Sequence, residues 1–344
     1  MTYAAPTLRY PLETPPGECE AREIAPGILW MRLPLPMALD HVNVYALDDG
    51  AGWTILDTGM DSRRTRAIWE ALLSGPLAGQ PVTRVVVTHH HPDHIGLAGW
   101  FQSRGASLIT TRTAWLLARM LVLDVQPLPT PEQIAFWRGA GMDEGLLAKR
   151  MTERPFNFAD CVAPLPVGYT RIAEGEQITM GGRRWLVRIG NGHAPEHAIF
   201  FSMDDNLVLG GDQLLPSISP NIGVYPTEPD ADPLSEWIAS CQAFAAIARD
   251  DHFVLPGHKL PFTGLPVRLR QLIENHEGAL ARLLDHLDRP RTAAECFMAL
   301  FKRQIDPAEY GLALVEAMAH LNHLLRHRRV TRQVSSGVWR WQRR

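Results

Sequence analysis

The chain has 344 residues but only four cysteines, Cys19, Cys161, Cys241 and Cys296, and none of them forms a C-x-x-C pair. Such spacing argues against a disulfide framework or a thiolate zinc site and fits a reducing compartment. No stretch approaches the roughly 18 consecutive apolar residues of a membrane span, so no membrane partner is expected. The opening "MTYAAPTLRYPLETPPGE" has neither a basic start nor an apolar run. It carries no signal-peptide pattern, and a cytoplasmic protein is the expectation. Internal repeats and low-complexity segments are missing as well. Net charge is small, −3, but it is unevenly spread. From Arg268 onward there are 14 Lys and Arg against 8 Asp and Glu, and no acidic residue follows Glu316. A basic end either contacts nucleic acid or forms a solvated helix and tail, and the second is the plainer reading.

What the sequence does contain is strands and helices in alternation. Residues 1–27 are proline-rich and read as extended surface chain. "GILWMRLPL" and "HVNVYALDDGAGWTILDTG" then read as strands, with "DDGAG" as a hairpin turn. The helix "DSRRTRAIWEALLSG" has Asp61 as its expected N-cap and Gly75 as its stop. A β-branched strand "VTRVVVTH", the helix "GLAGWFQSRG" and the strand "SLITT" follow. Residues 112 to about 165 break this rhythm with helical patterns rich in Leu, Met, Trp and Phe, and their six basic and six acidic residues cancel. They read as a helical insertion. Strands resume in "GEQITMGGRRWLVRI", "AIFFSMDDNLVLG" and "HFVLPGH", the last two separated by the helix "LSEWIASCQAFAAIA". From about Leu265 the pattern is helical three times over, the second helix opening with a Thr292/Glu295 capping-box pair, and a hairpin around Ser335–Gly337 closes the chain. Three helices and a hairpin resemble a winged-helix arrangement. The expected division is therefore 1–265 and 266–344.

The stretch "VVVTHHHPDHIG" places four histidines and an aspartate within six positions after a buried strand. Crowded ionisable groups are costly to desolvate unless something binds them together, and a metal does so. The same pattern recurs: His193 follows "WLVRIGNG", Asp212 follows "LVLGG" and His258 follows "FVLPG". Imidazole and carboxylate suit zinc and comparable first-row ions, and strand ends supply rigid backbone for a coordination geometry. His320, His323 and His327 also have helical spacing, but no carboxylate lies among or after them in sequence, so they are not read as ligands.

"HHHPDH" resembles the H-x-H-x-D-H signature of the metallo-β-lactamase fold hydrolases, and His193, Asp212 and His258 follow in that superfamily's order. "ILDTG" and "GHAPEH" match further pieces, so the resemblance covers roughly residues 25 to 262. It implies an α/β fold: an αββα sandwich of two mixed sheets with a helical insertion and a C-terminal helical, winged-helix-like domain. It also implies two divalent ions, with zinc preferred over iron or manganese. His89, His91 and His193 would hold one ion and Asp93, His94 and His258 the other, with Asp212 bridging. Two such ions share a water, lower its pKa towards roughly 7, and use the resulting hydroxide as nucleophile. Asp93 would orient that hydroxide or carry its proton to the leaving group. Asp57 matches a position that accepts a ligand histidine's other N–H. His90 should point away from the ions, and His197 should pack or support rather than ligate. The chain departs from the common G-H-T-P-G-H at Glu196, which replaces a glycine and either narrows the entrance or faces solvent. Lys259 either meets an anionic substrate or is simply exposed.

The first expectation for function is a hydrolase cleaving a small-molecule ester, thioester or lactone. The insertion's Trp115, Met120, Phe136, Trp137, Met142, Met151 and Phe156 would form either an apolar pocket wall or a core or dimer contact. The alternative, suggested by the basic C-terminal stretch, is a nuclease or phosphodiesterase acting on nucleic acid. A protein that keeps the metals for structure or sensing ranks third, and a mononuclear iron enzyme handling oxygen or sulfur compounds is a further, less favoured reading. A homodimer is compatible with the sequence.

Overall fold

The computed structural model describes residues 7–344, so half a dozen residues of the expected N-terminal extended chain lie outside the described part. Two sheets are stacked face to face. The first takes its strands in chain order: β1 (Arg22–Ala25), β2 (Ile28–Pro34), β3 (His41–Asp48), β4 (Trp53–Leu56), β5 (Val82–Val86), β6 (Ser107–Thr110) and β7 (Thr170–Arg171). Pairing is antiparallel as far as β4 and parallel from β4 to β7. The second sheet is built from β8 (Gln177–Met180), β9 (Arg183–Gly190), β10 (His197–Ser202), β11 (Leu207–Gly211) and β12 (Phe253–Pro256), in the order β12-β11-β10-β9-β8. Only its β11–β12 pair is parallel.

Alternation along the strands places side chains on both faces. In β2, Ile28 and Trp30 point between the sheets while Leu29, Met31 and Leu33 point outward. Both faces are covered, which is why the strand is apolar apart from Arg32, whose guanidinium donates to Asn43 and the Lys259 carbonyl. Between the sheets, Trp30, Tyr45 and Val86 meet Trp185, Phe200 and Leu209. The outer face of the first sheet is covered by α1 (Arg63–Ser74), α3 (Ala98–Gln102) and α4 (Arg112–Leu123), through Trp69, Phe101 and Val122 among others. A short α2 (Pro92–Ile95) lies just before α3. The N-cap of α1 is Ser62, one residue after the expected Asp61, because Ser62 Oγ accepts the Thr65 N–H while Asp61 pairs with Arg66.

The insertion continues with α5 (Pro131–Gly139), α6 (Glu144–Arg150) and a 3-10 turn at Phe158–Asp160. It has no core of its own. Phe136, Met142 and Leu147 join one large cluster with α7 (Pro233–Ala245), α8 (Leu265–His286) and α10 (Tyr310–Arg326), on the outer face of the second sheet. The expected boundary between 265 and 266 falls at the first residue of α8. After it come α9 (Phe297–Phe301), α10 and the hairpin β13 (Val330–Ser335) and β14 (Val338–Arg343). The Thr292/Glu295 pair is reciprocal: each side chain accepts the other's backbone N–H. Trp341 of β14 and Val330 of β13 are fully buried in the same cluster.

The insertion meets the hairpin at Gly139, where an added Cβ would lie 2.7–2.8 Å from ring atoms of Trp339. Gly139→Ala is expected to destabilise the fold by about 1–3 kcal/mol, the usual cost of overpacking. Thermal unfolding checks this, and adding Trp339→Leu to the same chain should recover part of the loss.

Candidate metal centre

The candidate donors sit at one edge of the sandwich because their strands end there. Strand β4 runs parallel to β5, with Leu56 opposite Val86, so Asp57 and the His89 loop emerge side by side. In the second sheet β9, β11 and β12 share a direction, β10 running against its two neighbours. His193, Asp212 and His258 follow the last residues of these three strands.

Three groups of donor atoms converge at this edge: His89 with His91 and His193, His89 with His94 and Asp212, and Asp93 with His94 and His258. In each group all donor atoms lie within 4.8 Å of one another. Asp212 is central, with Oδ1 3.3 Å from His94 Nε2 and Oδ2 3.2 Å from His258 Nε2 and 3.5 Å from His193 Nε2. Asp93 Oδ2 lies 3.3 Å from His258 Nε2 and 3.5 Å from His94 Nε2. His89 Nε2 and His91 Nδ1 face each other at 3.0 Å.

Four of the five histidines are fixed from behind. His94 Nδ1–H donates to Asp57 Oδ2 at 2.8 Å. His193 Nδ1–H donates to the Asn221 carbonyl at 2.9 Å, and His258 Nδ1–H to the His41 carbonyl at 2.7 Å. The Thr88 hydroxyl lies 2.9 Å from both Asp57 Oδ2 and His89 Nδ1. A carboxylate only accepts, so the hydroxyl proton goes to Asp57 and the oxygen accepts His89 Nδ1–H. Every one of these bonds turns Nε2 inward, where it is a donor atom for an ion once it carries no proton. Asp57 holds this place in a left-handed conformation, φ 57°, which Asp tolerates better than most residues.

The group fits divalent ions by its own chemistry. His94 Nε2, His193 Nε2 and Asp212 Oδ1 are buried and have no hydrogen-bond partner. Unpartnered buried polar atoms are costly, and here they point towards one place. Two imidazole–carboxylate groups sharing a central aspartate offer the nitrogen and oxygen donors that first-row ions take.

Electrostatics divides the recess in two. Burial opposes a proton on His94, but Asp212, Asp93 and Asp57 outweigh it and raise its pKa well above the ordinary histidine value. Burial likewise opposes His258, yet Asp212 and Asp93 push it up to about 10. Burial would raise Asp93 and Asp212, but the His94 and His258 imidazoles hold both well below the usual carboxylate range. On the other side, burial and neighbouring imidazoles push His89 and His91 well below the histidine value.

The neighbours of the donors have separate roles. His90 is in none of the converging groups, and its ring lies parallel to Phe158 at 6.3 Å. His197 stacks on His89 at 4.5 Å, and its Nε2 accepts the Asp212 N–H. Glu196 has a left-handed backbone, φ 50°, a conformation that favours glycine. Neither expectation for its carboxylate, narrowing an entrance or merely facing solvent, describes it: the carboxylate accepts the Thr113 N–H at 2.7 Å, and the Glu196 carbonyl accepts from the Thr111 hydroxyl, the N-cap of α4. Lys259 lines a cavity of about 390 Å³ with Arg32, His41 and Glu13. Sequence reasoning missed Thr88, His41, Asn221 and Glu316. The last two form a chain, Glu316 Oε2 accepting from Asn221 Nδ2 at 2.9 Å, with Asn221 in turn holding His193. A single acid inside the apolar run "LALVEAMAHL" was the available signal for Glu316.

An αββα sandwich with histidines and carboxylates gathered at one sheet edge defines a class of metal-dependent hydrolases. Comparison with known proteins gives the family. The profile of the metallo-beta-lactamase superfamily matches residues 37–258, and that of the metallo-beta-lactamase-like C-terminal domain matches residues 280–344. The chain belongs to this superfamily and is a metal-dependent hydrolase. It is similar to a beta-lactamase domain protein from Burkholderia ambifaria, with 35% identity, TM-score 0.90 and 98% of each chain covered. It is also similar to a metallo-beta-lactamase family protein from Thermus thermophilus, with 28% identity, TM-score 0.78, and 94% of this chain and 100% of the other covered. A Bacillus subtilis (strain 168) protein named as a probable metallo-hydrolase, YqjP, is 28% identical over 305 residues, 86% of this chain and 92% of its own.

Two outcomes test the supports of the centre. Asp57→Asn keeps a residue that accepts the left-handed backbone but loses the carboxylate under His94. It should weaken metal affinity by roughly 10–100-fold in a chelator competition, and an unchanged affinity would reject the role given to Asp57. Burial raises the Glu316 carboxyl from 4.5 to about 7. A raised acid pKa favours folding at low pH, and that contribution is lost as pH rises from about 4.5 through 7. Glu316→Gln should therefore be more stable than the parent at pH 8 by up to about 3 kcal/mol, with the gap closing towards pH 5. Parallel denaturation curves across that range would show that Glu316 is not the buried titrating group.

Proposed function

We propose that the chain is a dinuclear hydrolase of a small-molecule ester, thioester or lactone. The observation that carries the reading is the pair of donor groups joined through Asp212. His89, His91 and His193 would hold one ion, Asp93, His94 and His258 the other, and Asp212 would serve both. Zinc suits this donor set best. Ions bound there would supply an activated water and a counter-charge for the oxyanion that develops at the attacked carbon. The protein's own part is orientation and proton handling. Asp57, Thr88, Asn221 and His41 keep the imidazoles in one tautomer. Asp93 is the more open of the two carboxylates, 18% exposed against 8% for Asp212. It is the group placed to receive a proton from the nucleophile and deliver it to the leaving oxygen or sulfur.

The surroundings support this substrate class. Phe156 is 65% exposed and lies edge-on to Phe158, which is parallel to His90 beside the donors. On α4, Leu116, Met120 and Leu123 form an exposed stripe at helical spacing. The apolar surface at Phe156 and Phe158 suits an acyl chain or ring. Phe136 and Met142 are excluded from such a wall, since the core has taken them. The basic C-terminal arginines add little to a nucleic-acid reading, because Arg332, Arg340 and Arg343 pair with Asp230, Glu295 and Asp285.

The test is elemental analysis of the protein as isolated, followed by a thioester, lactone, ester and phosphodiester panel on the same sample. Two ions per chain at the centre and turnover of an acyl substrate are expected. Asp212→Ala should lose both ions, and Asp93→Ala chiefly the second. No turnover of any acyl substrate by the metal-loaded protein would end this reading, and equal loss of both ions from Asp93→Ala would contradict the division between the groups.

A further inference from the structure

A second cluster of metal-type donors lies away from the sheet edge, where α7 packs on the last turn of α10. Asp232 is the N-cap of α7, while His323 is in the last turn of α10 and His327 is its C-cap. No carboxylate lies between or after the two histidines in sequence, but the fold brings Asp232 to them from 91 positions upstream of His323. One donor atom from each residue lies within 4.8 Å of the others. His323 Nδ1 is 3.2 Å from Asp232 Oδ1, and the imidazole rings, four residues apart on one helix face, have centroids 4.3 Å apart.

We propose that Asp232, His323 and His327 form an additional site for a first-row divalent ion such as zinc, nickel or cobalt, clamping α10 onto α7. Two imidazoles and one carboxylate select these ions over magnesium and calcium, which take oxygen ligands. The i, i+4 pair is held by helical backbone, and the capping bond from the Ser235 N–H to Asp232 Oδ1 holds the carboxylate, so little is left to organise. The C-terminal end of a helix also favours positive charge. Ser235 Oγ marks the meeting point, 2.6 Å from Asp232 Oδ2, 3.0 Å from His323 Nδ1 and 3.3 Å from His327 Nε2. It either completes the coordination with a fourth oxygen or turns aside to admit the ion. The nearest arginines do not compete for the carboxylate, since Arg326 donates to the Asp230 carbonyl and Arg332 pairs with the Asp230 side chain. Helix α7 belongs to the sandwich half of the chain and α10 to the C-terminal half, so an ion here ties the two together.

The experiment uses the full chain, stripped with chelator and titrated with zinc, with bound metal counted after gel filtration. His327→Gln removes one donor at an exposed cap, and Asp232→Ser removes the carboxylate while keeping a good N-cap. Each variant should hold one ion fewer per chain than the parent. Zinc should raise the melting temperature of the parent more than that of either variant. The same comparison in an Asp212→Ala background separates this site from the sheet-edge centre: one ion should remain there and disappear with His327→Gln. Equal stoichiometry in parent and His327→Gln, in both backgrounds, would overturn the proposal and leave a capping hydrogen-bond network only. Failure of the sheet-edge centre to bind metal would leave the one-ion difference intact.

Discussion

The constraint on which the rest depends is the gathering of five imidazoles and two carboxylates in a largely buried recess. Left to themselves such groups would neutralise one another imperfectly and leave polar atoms unpaired, as His94 Nε2, His193 Nε2 and Asp212 Oδ1 are. The outer nitrogens of His89, His94, His193 and His258 are each held by a neighbouring oxygen, so these rings cannot turn away to solve the problem individually. The opposite displacements of the two halves follow. Carboxylates draw a proton onto His94 and His258, while His89 and His91, surrounded by other imidazoles, refuse one. Divalent metal would answer both conditions, the carboxylates supplying attraction to its charge and the histidines supplying nitrogen donors.

Holding that recess open requires a backbone that does not give. Strand ends meet the requirement because the paired backbone runs close to each donor: β11 is paired through Gly211, the residue before Asp212, and β9 and β12 to within three residues of His193 and His258. The parallel β4–β5 pair is the clearest case: it delivers Asp57 beneath His94 and Thr88 between Asp57 and His89. Asp57 and Glu196 both adopt left-handed backbone next to the donors. Their side chains make bonds that offset the strain, Asp57 to His94 and Thr88, Glu196 to the first turn of α4.

Much of this was legible from the sequence because the information was local. A β-branched run ending in "THHHPDH" announces both a buried strand and the donors after it, and the αββα architecture was implied by the family resemblance which that motif carries. The turn at "DDGAG" and the hairpin around Ser335–Gly337 were also readable from turn chemistry alone. What escaped was non-local. The oxygens beneath His193 and His258 are backbone carbonyls, which have no residue-type signature. The destination of Phe136 and Met142 depended on which surface the insertion met, and an apolar helix face reads alike whether it covers a substrate or a neighbouring helix. The exchange of Asp61 for Ser62 as N-cap came from competition, since Arg66 offered Asp61 a better partner. Asp232 beside His323 shows the same limit, a carboxylate far away in sequence and adjacent in space.

The C-terminal half is best understood as part of the centre rather than an appendage to it. Its helices share one apolar cluster with the second sheet, with α7 and with α5 and α6, so they complete the cover of the sandwich's outer face there. Through that contact Glu316 reaches Asn221, and Asn221 fixes His193 by its carbonyl. The loop that carries Asn221 joins β11 to α7 without regular structure of its own, and both of its side-chain amide bonds run to α10, to Glu316 and to the Leu312 carbonyl. The position of one donor histidine is therefore set jointly by the strand that precedes it and by a helix far downstream in the chain. A chain built this way cannot loosen α10 without also loosening the ring of His193.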